Sequence, residues 1–413
     1  MPADPTPRRP SAPPMDSDGR RLGKPPLRPT RATIDLSAIR HNLSTVRELS
    51  GPAARVFAVV KADAYGHGML AVAREALAWG ADALAVATPD EALCLRESPG
   101  IGEAEILIVG PTMPADAAEL QCAGIAVAIG NRPLMEAHLA EGRRRNAAPK
   151  MHLHLDTGMG RFGFGPAEWD GALDAMAREA GAFAGLMTHF SVSDSGVPDD
   201  VEYTGKQIQD FAAVAALVRD RGPRPIVHAA NSGAIIRHPA ATFDAVRPGI
   251  MLYGAQPDPV HRVPGIELRQ PMTLRTQVVS IHSHAERDSI SYGRKYRMPR
   301  DGRIGLLPVG YGDGLPRAYG ATGQGDGGRV LIGGRRVPIV GRVCMDQTLI
   351  DLTPFPDVAV GDEVVLYGAQ GPEFVSTEEV AGIVGTIPYE ITCQVGRRIP
   401  REWTGASIEE SHR

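Results

Sequence analysis

At 413 residues the chain exceeds one ordinary domain and suits two or more. Charged residues make up 22% and hydrophobic ones 43%, ordinary globular usage, and a net charge of -4 leaves no basic footprint for nucleic acid. No apolar run approaches membrane-spanning length and the N-terminus lacks an apolar signal-peptide core, so a cytoplasmic protein that engages neither membrane nor nucleic acid is expected.

Residues 1–30 are rich in Pro and Arg and almost free of large apolar side chains. Such a stretch cannot bury enough surface to order itself and reads as a disordered leader. Ala32 to Leu36 reads as a short strand, one able to pair with the C-terminal domain, and Asp35 or Ser37 as the cap of a helix carrying Ile39, Leu43 and Val46. Compact apolar runs then recur at 57–60, 83–87, 106–109, 125–129, 151–155, 184–187, 226–229 and 244–250. Several gaps carry helix-period segments, such as Leu70 to Trp79 and Phe211 to Val218. This alternation predicts an α/β fold, an N-terminal (β/α)8 TIM-type barrel over residues 31–270. No GxGxxG follows the first run to support an open doubly wound sheet.

From about residue 271 the period becomes two, in Thr273 to His282, Arg303 to Val309, Val337 to Val343, Thr348 to Leu352 and Glu363 to Tyr367, with glycine-rich turns at 323–328 and 333–334. A mostly β C-terminal domain over 271–405 is expected, with a short helix at Thr377 to Val384, a last strand at Glu390 to Gln394 and a tail over 406–413. The cysteines Cys94, Cys122, Cys344 and Cys393 form no CxxC pair and read as free thiols.

A barrel places its reactive groups just past the C-terminal ends of its strands. Those positions hold Lys61, Asp156 with Arg161, His189, Asn231 with Ser232, and Arg247 with Gly249. Lys61 ends an apolar run, and a lysine there either snorkels to solvent or is part-desolvated. Desolvation lowers its pKa and leaves the free amine that attacks a carbonyl to form a Schiff base. Ser232, Gly233 and Gly249 suit an anion, through a hydroxyl and backbone N–H groups that glycine lets approach closely; Asn231-Ser-Gly233 is equally an ordinary turn.

Val59-Val-Lys-Ala-Asp-Ala-Tyr-Gly-His-Gly68 resembles the pyridoxal-phosphate (PLP) lysine segment of alanine racemases, and the resemblance extends over nearly the whole chain after residue 31. It implies a PLP enzyme that interconverts L- and D-alanine, supplying D-alanine for cell walls, and a homodimer with shared active sites. It implies Lys61 and Tyr292, in Ser291-Tyr-Gly293, as bases on opposite faces of the substrate, Tyr292 coming from the second subunit. Tyr65, Asn231, Ser232, Gly249, Ile250 and Tyr389, in Thr386-Ile-Pro-Tyr-Glu390, join Lys61 as cofactor-binding positions. His189 matches the residue stacked on the cofactor ring, and Arg247, in Val246-Arg-Pro-Gly-Ile250, the partner of its pyridine nitrogen. Arg161, Met345, Asp346 and Tyr311 match substrate-binding and entry-channel positions, in Asp156-Thr-Gly-Met-Gly-Arg161, Gly341-Arg-Val-Cys-Met-Asp-Gln347 and Gly310-Tyr-Gly-Asp-Gly314.

One position departs. His154 stands where the racemases often carry a lysine carbamate whose negative charge fixes the arginine matched by Arg161. A neutral imidazole accepts one hydrogen bond, and a protonated one repels Arg161. A bound anion such as chloride, or a neutral acceptor, is expected to take the carbamate's place. Two other readings compete with alanine racemisation. Serine or broader specificity uses the same site. A metal-dependent barrel hydrolase would use His152, His154 and Asp156, which share one strand face, with His189 and His228. A barrel-only PLP-binding protein conflicts with the β domain.

Overall fold

The computed structural model describes residues 27–321 and 327–405. The expected leader through residue 26, the tail 406–413 and most of the glycine-rich turn at 323–328 lie outside them. The chain divides into two compact units. One holds Thr33–Thr273, Tyr367–Gln394 and the stretch from Arg401; the other holds the residues through Ala32, Leu274–Leu366 and Val395–Pro400.

β1 (Arg31–Asp35), which enters the first unit at Thr33, runs into a helix, Leu36–Ser50, and Asp35 is the cap: its carboxylate accepts from the Ser37 N–H at 2.8 Å. Then come β2 (Arg55–Val59), β3 (Ala83–Val86), β4 (Ile106–Ile108), β5 (Ala126–Ile129), β6 (Met151–His154), β7 (Phe183–Met187), β8 (Ile226–His228) and β9 (Ala245–Val246). β2 to β9 pair in sequence order, all parallel, and β9 closes on β2 through Arg55 opposite Ala245 and Val56 opposite Val246. Helices fill the intervals, among them Met69–Ala78, Pro89–Glu97, Arg132–Arg145 and Pro198–Asp220. Strands covered on both faces read as continuous apolar runs, and β3, β4, β5 and β6 are buried at every residue. The run at 244–250 yields only a two-residue strand. Pro248 has no N–H for the ladder, and the chain turns through a 3-10 segment, Ile250–Tyr253.

The segment Tyr367–Gln394 brings helices Thr377–Val384 and Pro388–Cys393 to this unit. The strand expected at Glu390 to Gln394 is therefore a helix. Pro388 at its first turn presets φ, and Pro388, Ile391 and Thr392 recur at helical spacing as its buried face.

The second unit is antiparallel. Ser280–His284 pairs with Gly302–Leu307, which pairs with Thr348–Asp351. Arg329–Ile332 and Arg335–Pro338 form a hairpin whose two turn residues, Gly333 and Gly334, have φ of 56° and 70°, the left-handed values a twisted two-residue turn demands. The run expected to be a strand through Val343 stops at Pro338; beyond it Ile339 makes one isolated bridge to Ile350. Ile290, Met298, Ile304 and Val340 form a small core. The leader was expected to reach residue 30, yet its last residues are anchored here. Arg28 makes two bonds to the fully buried Asp313 carboxylate, at 2.6 and 2.5 Å, and the Thr30 hydroxyl donates to the Pro308 carbonyl at 2.9 Å.

All four cysteines are free thiols. Among the described residues, no helix is long and apolar enough to cross a membrane.

Candidate active site

Lys61 lies just beyond β2. The four residues after it, Ala62 to Tyr65, all have φ of 53–54°, so the chain makes a left-handed helical turn built without glycine. Each such residue costs about 1–2 kcal/mol relative to right-handed backbone. Neighbours hold the turn in place. The Ala62 N–H donates to Glu91 at 2.6 Å, and Glu91 also completes the capping box of helix Pro89–Glu97. The Met69 N–H donates to Asp63 at 2.8 Å. Gly66 ends the turn at φ 83°, and a Cβ there would stand 2.1 Å from the Thr392 carbonyl oxygen. Helix Pro388–Cys393 thus packs backbone to backbone against the turn, which sets Tyr389 beside Tyr65, ring centroids 5.9 Å apart.

These elements enclose a cavity of about 400 Å³ at the C-terminal mouth of the barrel. Lys61, Tyr65, His154, Arg161, His189, Asn231, Ser232, Arg247, Gly249, Ile250 and Tyr389 line it, with Cys393 beside them. Three of these carry positive charge, and no Asp or Glu joins them, so the cavity suits an anionic ligand. Burial, then the nearby Arg161 charge, pulls the Lys61 pKa below its ordinary value, leaving more free amine. Ser232 accepts from the Gly249 N–H at 2.9 Å and the Met251 N–H at 3.3 Å. A Cβ on Gly249 would sit 2.6 Å from the Tyr65 hydroxyl, so glycine keeps open the space among that hydroxyl, Ser232 and the backbone N–H groups. That donor set fits a phosphate.

Arg247 is buried, 4% exposed, and lies deeper in the barrel. It donates to the Thr188 carbonyl at 2.7 Å, the Ala229 carbonyl at 2.9 Å, the His228 carbonyl at 3.0 Å and His228 Nδ1 at 2.5 Å. Burial lowers its pKa to about 9, so it stays cationic at neutral pH. Arg161 makes no hydrogen bond or salt bridge to another described residue. His154, 4% exposed, leaves Nδ1 without a partner among the described residues, and burial lowers its pKa to about 3, so the ring is neutral.

Four of the residues singled out from sequence lie in the other unit. Tyr292 and Tyr311 line a cleft there with Arg317 and Arg342. Tyr292 is 70% exposed and Met345 54%, unusual for large side chains with so much apolar surface. The Tyr311 and Gly312 N–H groups donate to the Cys344 and Met345 carbonyls, and Asp346 accepts from Arg398 at 2.7 Å.

The model of the N-terminal domain of alanine racemases matches residues 34–257, and that of the C-terminal domain residues 271–403. An alanine racemase of Symbiobacterium thermophilum is 41% identical over 95% of this chain and 99% of its own length. One of Halothermothrix orenii is 40% identical over 92% and 98%. The chain belongs to the alanine racemase family. The crystal structure of the alanine racemase of Streptomyces lavendulae superposes with a TM-score of 0.85 at 33% identity, over 94% of this chain and all of that one. That of Bacillus anthracis, solved with bound L-Ala-P, gives 0.82 at 36%, over 92% and 96%.

Within this racemase, the metal-hydrolase alternative lacks its ligands. Among the described residues no three His, Cys, Asp or Glu side chains gather as a metal site. His152 is spent on His228, and the Asp156 carboxylate accepts from the Gly158 and Met159 N–H groups at 2.8 Å. Two participants escaped sequence reasoning. Cys393 was placed in a strand; helical spacing from Tyr389 was the signal for its position. His228 was considered only as a metal ligand, and no local pattern links it to Arg247.

Proposed function

We propose that this alanine racemase interconverts L- and D-alanine with PLP held in the barrel cavity, as a homodimer in which Lys61 serves one face of the substrate Cα and Tyr292 of the partner subunit the other. The observation that carries this reading is the meeting, in one cavity, of a desolvated lysine, a phosphate-shaped donor set and a buried arginine. Ser232, Gly249, Ile250, Tyr65 and Tyr389 would hold the cofactor's phosphate, and His189 would lie against its ring. Bound there, PLP supplies the electron sink that makes the substrate's α-proton acidic.

Arg247 offers only N–H groups, so a pyridine nitrogen facing it stays unprotonated. Such a sink would be weak and would let the proton return quickly to Cα, favouring racemisation over transamination. Lys61, its pKa lowered by burial, would take a proton from Cα or give one back. Arg161 binds the substrate carboxylate, and its unpartnered guanidinium is free to do so. The exposure of Tyr292, Tyr311 and Met345 supports their meeting a second copy of the chain, Met345 through its backbone N–H to the carboxylate and Asp346 by orienting its neighbours.

The test uses purified protein supplied with PLP and a panel of L-amino acids. Visible absorbance of bound cofactor and racemisation of alanine ahead of serine are expected, and Lys61→Ala should lose both. Tyr292→Ala should keep the absorbance and lose proton abstraction from L-alanine far more than from D-alanine. Wild-type protein that stays colourless with PLP overturns the reading.

A further inference from the structure

Two buried imidazoles stand behind Arg247. His152, on β6, and His228, at the end of β8, are both fully buried, and their rings meet over the intervening strand β7 with Nδ1 of His152 2.8 Å from Nε2 of His228. Gly185 on β7 is the cross-strand neighbour of His152 and makes this meeting possible: a Cβ on Gly185 would stand 2.1 Å from His152 Nδ1. The other nitrogen of His228, Nδ1, lies 2.5 Å from the Arg247 guanidinium.

Only one arrangement of protons satisfies this chain of contacts. A guanidinium only donates, so His228 Nδ1 must accept. Neutral His228 then carries its proton on Nε2 and donates to His152 Nδ1. Neutral His152 in turn carries its proton on Nε2. Reversing the order sets an N–H of His228 against the N–H of Arg247 at 2.5 Å. The arrangement leaves the buried His152 Nε2–H without a hydrogen-bond partner among the described residues.

We propose that His152 is a positioning residue: by accepting from His228 it fixes the tautomer that turns a lone pair toward Arg247, and so fixes the direction in which Arg247 presents its remaining N–H, on Nε, to the cavity. The inference rests on the racemase reading for what Arg247 does, but not for the proton arrangement itself.

Ring-nitrogen NMR of the purified enzyme, labelled with 15N-histidine, tests the arrangement directly. Both rings should be neutral with the proton on Nε2 at neutral pH; an Nδ1–H tautomer or a cationic ring at either position overturns the proposal. Three variants test the consequence. His152→Leu removes the acceptor, Gly185→Ala displaces it while keeping the imidazole, and His152→Asn restores an oxygen near the Nδ1 position. In the first two, kcat for racemisation should fall between about tenfold and a hundredfold, the scale of a misdirected contact at a reacting centre. KM for alanine should change little, the absorbance of bound PLP should shift, and His152→Asn should recover most of both. A folded His152→Leu protein with wild-type kcat and absorbance overturns the proposal. If wild-type protein shows the tautomers but racemises nothing, the racemase reading fails instead.

Discussion

Arg161 faces the cavity with no described carboxylate in contact, and His154 beside it is held neutral by burial, the Arg247 charge adding to the effect. A cation so placed calls for a counter-charge, and a small anion between Arg161 and His154 Nδ1 would supply it. Racemisation in halide-free gluconate buffer should therefore rise on adding chloride at constant ionic strength. A flat response would rule out a halide at this position. The residue identities here were legible from sequence because each belongs to a long motif. The partners of those residues were not. Nothing in Asp156-Thr-Gly-Met-Gly-Arg161 says that Arg161 stands without an acceptor among the described residues, nor does Val246-Arg-Pro-Gly-Ile250 say that Arg247 finds an imidazole from β8.

Among the elements, the left-handed turn after Lys61 is the most exacting. Ala62 is exposed at φ 53°, where a side chain is a steric burden that glycine does not carry. Ala62→Gly should stabilise the protein by about 1 kcal/mol in chemical denaturation. Gly66→Ala should do the reverse, by about 3 kcal/mol, because its Cβ would collide with the Thr392 backbone at a positive φ. A gain in stability from Gly66→Ala would show that the helix Pro388–Cys393 yields easily. The sequence showed the barrel strands well, since parallel strands buried on both faces are unbroken apolar runs. It showed the turn poorly: Lys-Ala-Asp-Ala-Tyr has ordinary helix propensity, and its handedness is imposed by Glu91, Asp63 and the packing on Gly66. It misread Glu390 to Gln394 because an apolar alternation over so few residues fits either a strand or one face of a short helix.

For the molecule as a whole, buried neutral histidines govern behaviour in acid. Burial lowers the pKa of His152 and His154 to about 3, and of His67 and His138 to about 4, from an ordinary 6.5. Between those limits the unfolded chain binds more protons than the folded one, so unfolding becomes easier as pH falls. The contribution is whole above about pH 6.5 and is lost progressively toward pH 3 to 4. Denaturation midpoints measured from pH 7 down to pH 4 should decline, and replacing His138 with Gln should flatten that decline; an unchanged slope would show that other groups govern it.

Neither compact unit is one unbroken length of chain. The cavity draws on residues from Val59 to Cys393, and its last two contributors, Tyr389 and Cys393, come from a segment that leaves the β-rich unit after Leu366 and is followed by a return to it at Val395. A nascent polypeptide therefore emerges from the ribosome with all eight barrel strands made long before the wall bearing Tyr389 exists. Closure of the cavity waits for that late segment, and a chain cut off after Leu366 would hold a barrel lacking one side of its pocket.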